Sequence, residues 1–264
     1  MVLAGIQKLT LLDFPGRLAA TLFTPGCNFR CPFCHNASLV SEDGSTILSD
    51  GSNCNTLQDL GETMDFLRER FGRLQGVAIT GGEPTMQADL ADFIRELKKI
   101  GYEVKLDTNG SYPERLAAIL NEGLVDYVAM DLKNSWGKYE TTIGLKKADA
   151  DFIDFGTDGP AIRFAMSGTS KMVMNCRKSF EMLKASDTDH EFRTTIVKQL
   201  HEIEDVAEMA QAVGPNHKYF LQNFVDSGDI IGKDYCAHDK QTLISFLNEA
   251  KKYCPGTELR GVDL

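Results

Sequence analysis

Cys27-Asn28-Phe29-Arg30-Cys31-Pro32-Phe33-Cys34-His35-Asn36 gathers three thiols into a C-x3-C-x2-C run. Directly before it, Leu18-Ala19-Ala20-Thr21-Leu22-Phe23 is a short apolar run ended by Thr24-Pro25-Gly26. A bounded run of that length reads as a buried strand, and Pro-Gly as its terminator. The cysteines therefore occupy a loop at the C-terminal end of a strand.

The pattern continues outward. Residues 41–55, rich in Ser, Gly, Asp and Asn, read as a surface loop. Thr56 opens a helix whose Leu57, Leu60, Met64, Leu67 and Phe71 recur at steps of three and four. Strands are then expected at 76–80, 103–107 and 127–131, and helices at 88–100, stopped by Gly101, and 113–121. An interval rich in Gly and Asp runs to Ser170 without a recognisable element. A helix at 170–185, strands at 191–197 and 219–224, and helices at 202–213 and 240–253 complete the chain.

Short strand, loop, helix, repeated about six times, specifies parallel βαβ units. Six are too few for the closed eightfold barrel. The expected fold is α/β, an incomplete (β/α)6 TIM-like barrel of parallel strands, formed by residues 1–264 as one domain. Function belongs on loops at the C-terminal strand ends.

Composition is ordinary for a globular protein, with 42% hydrophobic and 25% charged residues. A net charge of −10 disfavours nucleic acid and anionic membranes as partners. No apolar run approaches the ~20 residues that span a bilayer. Lys8, Asp13 and Arg17 interrupt the N-terminal stretch, so no secretory signal is read and a cytoplasmic location is expected. Seven cysteines, an odd number with three clustered, fit metal ligation in a reducing compartment better than a disulfide framework.

Soft thiolates select zinc or iron–sulfur iron, and a structural zinc site closes with four ligands. His35 could be the fourth, but it directly follows Cys34, which makes a tetrahedron awkward to close. A [4Fe–4S] cluster on three cysteines leaves one iron open to substrate. Both readings stand at this point.

Three further motifs follow strands. Thr80-Gly81-Gly82-Glu83-Pro84 lets backbone approach a ligand closely, or is simply a tight turn. Leu106-Asp107-Thr108-Asn109-Gly110 and Met130-Asp131-Leu132-Lys133 could each cap a helix. Asp107 and Asp131, ending neighbouring strands, would also set two carboxylates side by side, which requires a cation or Lys133 between them.

With Phe33 between Cys31 and Cys34, the cysteine run resembles the hallmark of the radical S-adenosylmethionine (SAM) enzymes. Cys34-His35-Asn36, the Thr80–Pro84 and Asp107–Gly110 motifs and Asp131-Leu132-Lys133 narrow the likeness to the activases of glycyl-radical enzymes. The branch most resembled activates anaerobic ribonucleoside-triphosphate reductase. Leu12-Asp13-Phe14-Pro15-Gly16, Phe192-Arg193-Thr194-Thr195 and Leu221-Gln222-Asn223-Phe224 add to that likeness.

The resemblance implies that Cys27, Cys31 and Cys34 hold a [4Fe–4S] cluster whose open iron chelates SAM. It places Phe33 near the adenine, assigns Gly81, Gly82 and Glu83 to the methionine amino group, and brings Lys133 toward the methionine carboxylate. Asn109 and Arg193 join the cofactor-binding set. Asp107, Thr108, the Ala129 carbonyl and Asp131 would build a Na+ or K+ site. Flavodoxin or ferredoxin supplies one electron, SAM is cleaved to methionine and a 5′-deoxyadenosyl radical, and the radical abstracts hydrogen from a backbone glycine of a partner enzyme.

Cys54, Cys176, Cys236 and Cys254 read as small buried hydrophobes, with no second cluster, and His201, His217 and His238 as surface or capping residues. Residues 146–169, with Asp149, Asp151, Asp154, Asp158, Phe152 and Phe155, depart from the family pattern and read as an insertion or variable loop: a solvated acidic loop, or a docking or cover loop. Two competing functions remain, a radical SAM enzyme of similar core acting on a small molecule or peptide, and a non-catalytic zinc-binding module.

Overall fold

The computed structural model describes residues 1–40, 46–47, 53–54, 58–145, 170–226 and 228–262. The 146–169 interval, and Thr56 and Leu57, lie outside the described residues. One eight-stranded sheet organises the chain, in the order β1 (Gly5–Thr10), β2 (Ala19–Thr24), β5 (Gly76–Gly81), β6 (Glu103–Thr108), β7 (Tyr127–Asp131), β8 (Asp189–Ile196), β9 (Lys218–Asn223), β10 (Glu258–Arg260). The strands β2 to β10 of this sheet are parallel, and β1 alone runs antiparallel, against β2. Among the described residues β1 and β10 are edges, so the sheet is an incomplete barrel that does not close.

The central strands are buried on both faces, as in the all-buried stretch Gly76–Ile79 of β5, because helices cover one side and core packing the other. Those helices are α1 (Leu60–Arg70), α2 (Leu90–Ile100), α3 (Pro113–Asn121), α4 (Tyr139–Thr142), α5 (Lys171–Lys184), α6 (Ile203–Val213) and α7 (Lys240–Lys251). Their ends follow local chemistry. Asp59, Ser170 and Asp239 accept N-terminal amides, Glu202 and Asp205 form a reciprocal capping box, Pro113 opens α3, and Gly101 ends α2 at φ 110°. No helix of the described residues is long and apolar enough to cross a membrane.

Several expectations are corrected. The sheet has two more strands than six βα units require: β1 is an edge strand with an exposed middle, and β10 has only three residues. The first helix begins at Leu60, since Asp59 caps it and Gln58 bridges to Leu3, and Phe71 lies beyond its end. Within 41–55 two short strands, β3 (Thr46–Ile47) and β4 (Asn53–Cys54), pair antiparallel.

The stretch after Asp131 is also structured: Asn134, Ser135, Tyr139, Thr142 and Ile143 are buried around α4. Its polar residues are tied down, with Asn134 Nδ2 donating to Leu200 O at 2.9 Å and Ser135 Oγ to Asp205 at 2.9 Å. At the opposite, N-terminal face, Phe14 plugs the sheet. Its ring lies 6.3 Å from that of Tyr127, and a Cβ on Gly76 would meet it at 2.7 Å.

Candidate active site

The cysteine loop and the strand end before it are held by four backbone bonds to three neighbouring segments. Gly82 N–H donates to Thr24 O at 2.9 Å and Glu83 N–H to Gly26 O at 2.8 Å, while Arg30 N–H donates to Ile143 O at 2.9 Å. From the stretch after β9, Gly232 N–H donates to Pro32 O at 2.7 Å. Inside the loop, Arg30 Nη1 donates to the carbonyls of Cys27 and Phe29 at 2.6 and 2.8 Å. A loop with no regular structure is thus fixed at both ends and its middle.

Cys27, Cys31 and Cys34 all line one cleft at the C-terminal strand ends. Phe33, Gly81, Gly82, Glu83, Asp107, Thr108, Asn109, Asp131, Lys133 and Arg193 line the same cleft; of the expected site residues only Ala129 does not. Ala129 is fully buried in β7, registered between Asp107 and Glu191. Burial pushes the Cys27 thiol up to about 11 and Cys31 up to about 12, and raises Cys34 as well. Among the described residues no three His, Cys, Asp or Glu side chains converge tightly enough to hold one metal ion. Three thiols on one cleft supply the donor set of a [4Fe–4S] cluster with one iron left open, and supply one ligand fewer than a structural zinc ion needs. His35 instead stacks on Phe224, with ring centroids 5.4 Å apart.

The Gly-Gly turn serves the loop itself. A Cβ on Gly81, at φ 119°, would stand 2.4 Å from Thr24 backbone, and one on Gly82 only 2.0 Å from Gly26 O. The close approach that these glycines permit is to backbone of the cysteine loop. Glu83 is fully buried: Oε1 accepts from Thr85 N–H at 3.0 Å, from the Thr85 hydroxyl and from Thr108 Oγ1 at 2.8 Å, and Oε2 from Asn109 N–H at 2.6 Å. Burial raises its pKa and these donors oppose the rise. It is a strut between the ends of β5 and β6.

The paired carboxylates are bridged by arginine. Arg193 is the register partner of Asp131 across β7 and β8, and its Nη1 lies 3.2 Å from Asp107 Oδ2. Lys105 pairs with the other oxygen of Asp107, and Lys133 Nζ with Asp131 Oδ2 at 2.8 Å. Burial alone would favour neutral groups. The Arg193 and Lys105 charges outweigh it at Asp107, and Lys133 and Arg193 at Asp131, so both carboxyls lie below their usual range. Three cations against two anions leave no demand for another positive ion. Arg193 stands between the two carboxylates that the resemblance assigns to a Na+ or K+ site, and Thr108 Oγ1, from the same expected set, donates to Glu83.

Sequence reasoning missed several contributors. Asn28 and Ser111 join the expected Asn109 in a hydrogen-bonded cluster under Cys27, and Thr195 and Gln222 line the cleft from β8 and β9. Lys105, a charge inside an apolar strand, was a readable signal of a buried partner. Elsewhere, Cys176 and Cys254 are buried but Cys236 is exposed. His201 is buried, not on the surface, and His217 Nδ1 meets His190 Nε2 at 3.0 Å.

A family model described as the radical SAM superfamily matches residues 21–154, just over half of the chain. The chain is 29% identical to a candidate glycyl-radical enzyme activating enzyme of Methanocaldococcus jannaschii, over 99% of this chain and 97% of that one. It is 36% identical to a candidate GTP 3′,8-cyclase of Sulfolobus acidocaldarius, over 41% of this chain and 32% of that one. Among solved structures, SuiB of Streptococcus suis bound to S-adenosylmethionine aligns with a TM-score of 0.60 at 14% identity, covering 91% of this chain and 52% of SuiB. That likeness is one of fold, and the chain spans about half of SuiB and a third of the cyclase. The residues matched by the family model carry the three cysteines, the Gly-Gly turn and both strand-end aspartates, and the chain belongs to the radical SAM superfamily.

Proposed function

We propose that this chain activates a glycyl-radical enzyme, with anaerobic ribonucleoside-triphosphate reductase as its partner. The observation that carries the activase reading is the end-to-end likeness to the M. jannaschii chain, and the reductase as partner rests on the motif resemblance alone. The cyclase likeness, by contrast, stops short of half the chain, as expected for a shared core serving another substrate.

When bound, the [4Fe–4S] cluster supplies one electron to S-adenosylmethionine, giving methionine and a 5′-deoxyadenosyl radical that takes hydrogen from a glycine of the partner. Cys27, Cys31 and Cys34 hold the cluster. Because burial keeps their thiols protonated, taking up iron releases protons. Lys133 and Arg193 present positive charge to the methionine carboxylate, and Asp107 and Asp131 hold those cations in place. Phe33 offers an apolar wall for the adenine, and Gly81 and Gly82 keep the loop close to the sheet. Flavodoxin or ferredoxin is the electron source in this reading.

The test is anaerobic. Iron-loaded, reduced protein incubated with S-adenosylmethionine and the reductase should produce the doublet glycyl signal in electron paramagnetic resonance. Cleavage of S-adenosylmethionine without that signal would overturn the partner, and colourless protein carrying zinc would overturn the chemistry.

A further inference from the structure

Asn109 carries an arrangement that binding a cofactor does not require. It is 5% exposed, and both polar atoms of its side chain are engaged. Its Oδ1 accepts from Ser111 N–H at 2.9 Å and from Ser111 Oγ at 2.6 Å. A backbone N–H can only donate, so this bond fixes which end of the amide is oxygen. Nδ2 must then face the other way. One of its hydrogens goes to Asn28 Oδ1 at 3.0 Å, and the nitrogen lies 3.9 Å from Cys27 Sγ.

Asn28 is held in turn. Its Nδ2 donates to Ser111 Oγ at 2.9 Å and lies 3.1 Å from Met172 Sδ, so Asn28 cannot turn its oxygen away without breaking both contacts. The backbone of Asn109 is pinned by Glu83 Oε2 at 2.6 Å. A side-chain amide dipole is therefore locked toward one of the three cluster sulfurs. The Phe29 N–H, 3.4 Å from the same sulfur, adds a backbone donor. No comparable side-chain amide is recorded at Cys31 or Cys34 among the described residues.

We infer that Asn109 sets the reduction potential of the cluster by donating an N–H···S hydrogen bond to Cys27, with Asn28 and Ser111 as its orienting partners. The inference rests on the cluster reading above. Hydrogen bonds to cluster sulfurs are among the protein's levers on potential. Adding one electron from a reductant such as dithionite adds one negative charge to the cluster, spread over its sulfurs. A donor aimed at a sulfur stabilises the reduced form more than the oxidised form, so Asn109 raises the potential and eases reduction.

The experiment is a dithionite titration of iron-loaded protein followed by electron paramagnetic resonance, on wild type, Asn109→Ala and Asn109→Asp. Asn109→Ala should lower electron affinity about tenfold, equivalent to about 59 mV for a one-electron couple. Asn109→Asp keeps the shape and the oxygen that Ser111 uses but turns a carboxylate toward the sulfur, so its potential should fall further. Ser111→Ala removes only orienting bonds and should shift less than Asn109→Ala.

Variants that load iron and titrate at the wild-type potential would overturn the inference while leaving the cluster reading intact. Loss of iron from both Asn109 variants would make the residue a part of the loop's fold and would equally overturn it. A wild type that carries no reducible cluster would overturn the underlying reading instead.

Discussion

Arg193 Nη2 lies 3.0 Å from Asp131 Oδ1, and the two residues face each other in register across adjacent parallel strands. The same guanidinium reaches Asp107, so one side chain neutralises both strand-end carboxylates at the floor of the cleft. The Arg193 side chain is 14% exposed, and its removal would leave Asp107 and Asp131 with Lys105 and Lys133 as their remaining cations.

Replacing Arg193 with Met should therefore cost about 1.5–3 kcal/mol in chemical denaturation, the range for hydrogen bonds to charged groups, because Lys105 and Lys133 still pair with the two carboxylates. Wild-type stability should not distinguish potassium chloride from choline chloride at equal ionic strength. Arg193→Met should be stabilised by potassium or sodium over choline, because a small cation can then enter between the carboxylates. Equal melting of the variant in all three salts would show that the carboxylates relax apart.

Gly82→Ala adds a single methyl group where Gly26 O already stands 2.0 Å away. Backbone must move, and overpacking of that kind costs about 1–3 kcal/mol. The movement falls on the cysteine loop, so iron per folded chain should drop more than stability does. Iron assay on the folded fraction, beside an Ala substitution at the open Gly137, tests whether the glycine serves the loop.

His201 gives the fold an acid-sensitive point. Val197 N–H donates to its Nδ1 at 3.1 Å, which makes Nε2 the protonated nitrogen that donates to Lys133 O at 2.8 Å, a fully used neutral ring. Burial lowers its pKa below the ordinary 6.5, with its hydrogen bonds opposing. The unfolded chain thus takes up this proton first. The stability His201 contributes is complete above pH 6.5 and is lost as pH falls through the lower folded value. His201→Gln should be less stable at neutral pH but lose less on acidification, as read by urea midpoints from pH 7.5 to 5. A residual slope should persist, since burial also lowers His35 and His217.

The motifs were legible because each is short, local and placed at a strand end. Apolar runs fixed the strands, and the rule that parallel sheets work at their C-terminal ends gathered Cys27, Gly82, Asp107, Asp131 and Arg193 onto one rim. What stayed hidden depends on register and on neighbours distant in sequence. That Asp131 faces Arg193 follows from a pairing of β7 with β8, separated by 57 residues between Asp131 and Asp189. The packing of the Gly-Gly turn against Gly26 O was equally hidden, because that partner is backbone and leaves no side-chain pattern. Strands as short as β10, and polar but buried stretches such as Asn134 to Thr142, carry no periodicity to read.

Phe14 separates the face that holds the sheet together from the face that does the chemistry. It belongs to a motif, Leu12-Asp13-Phe14-Pro15-Gly16, whose residues sit at the N-terminal end of the sheet. The ring is 3% exposed, packs with Ala19 and Tyr127, and covers the missing side chain of Gly76. Asp13 accepts from Thr21 Oγ1 at 2.5 Å and Arg17 Nε donates to Glu103 at 2.7 Å, which pin the turn on either side. Phe14→Ala should therefore cost about 3–5 kcal/mol, the usual loss for a buried ring truncated to a methyl group. It should leave iron per folded chain and the cluster's potential unchanged, because the far rim of the sheet is untouched. Denaturation curves read beside iron content and a redox titration separate these effects. A shifted potential in Phe14→Ala would mean that the two ends of the sheet are mechanically coupled.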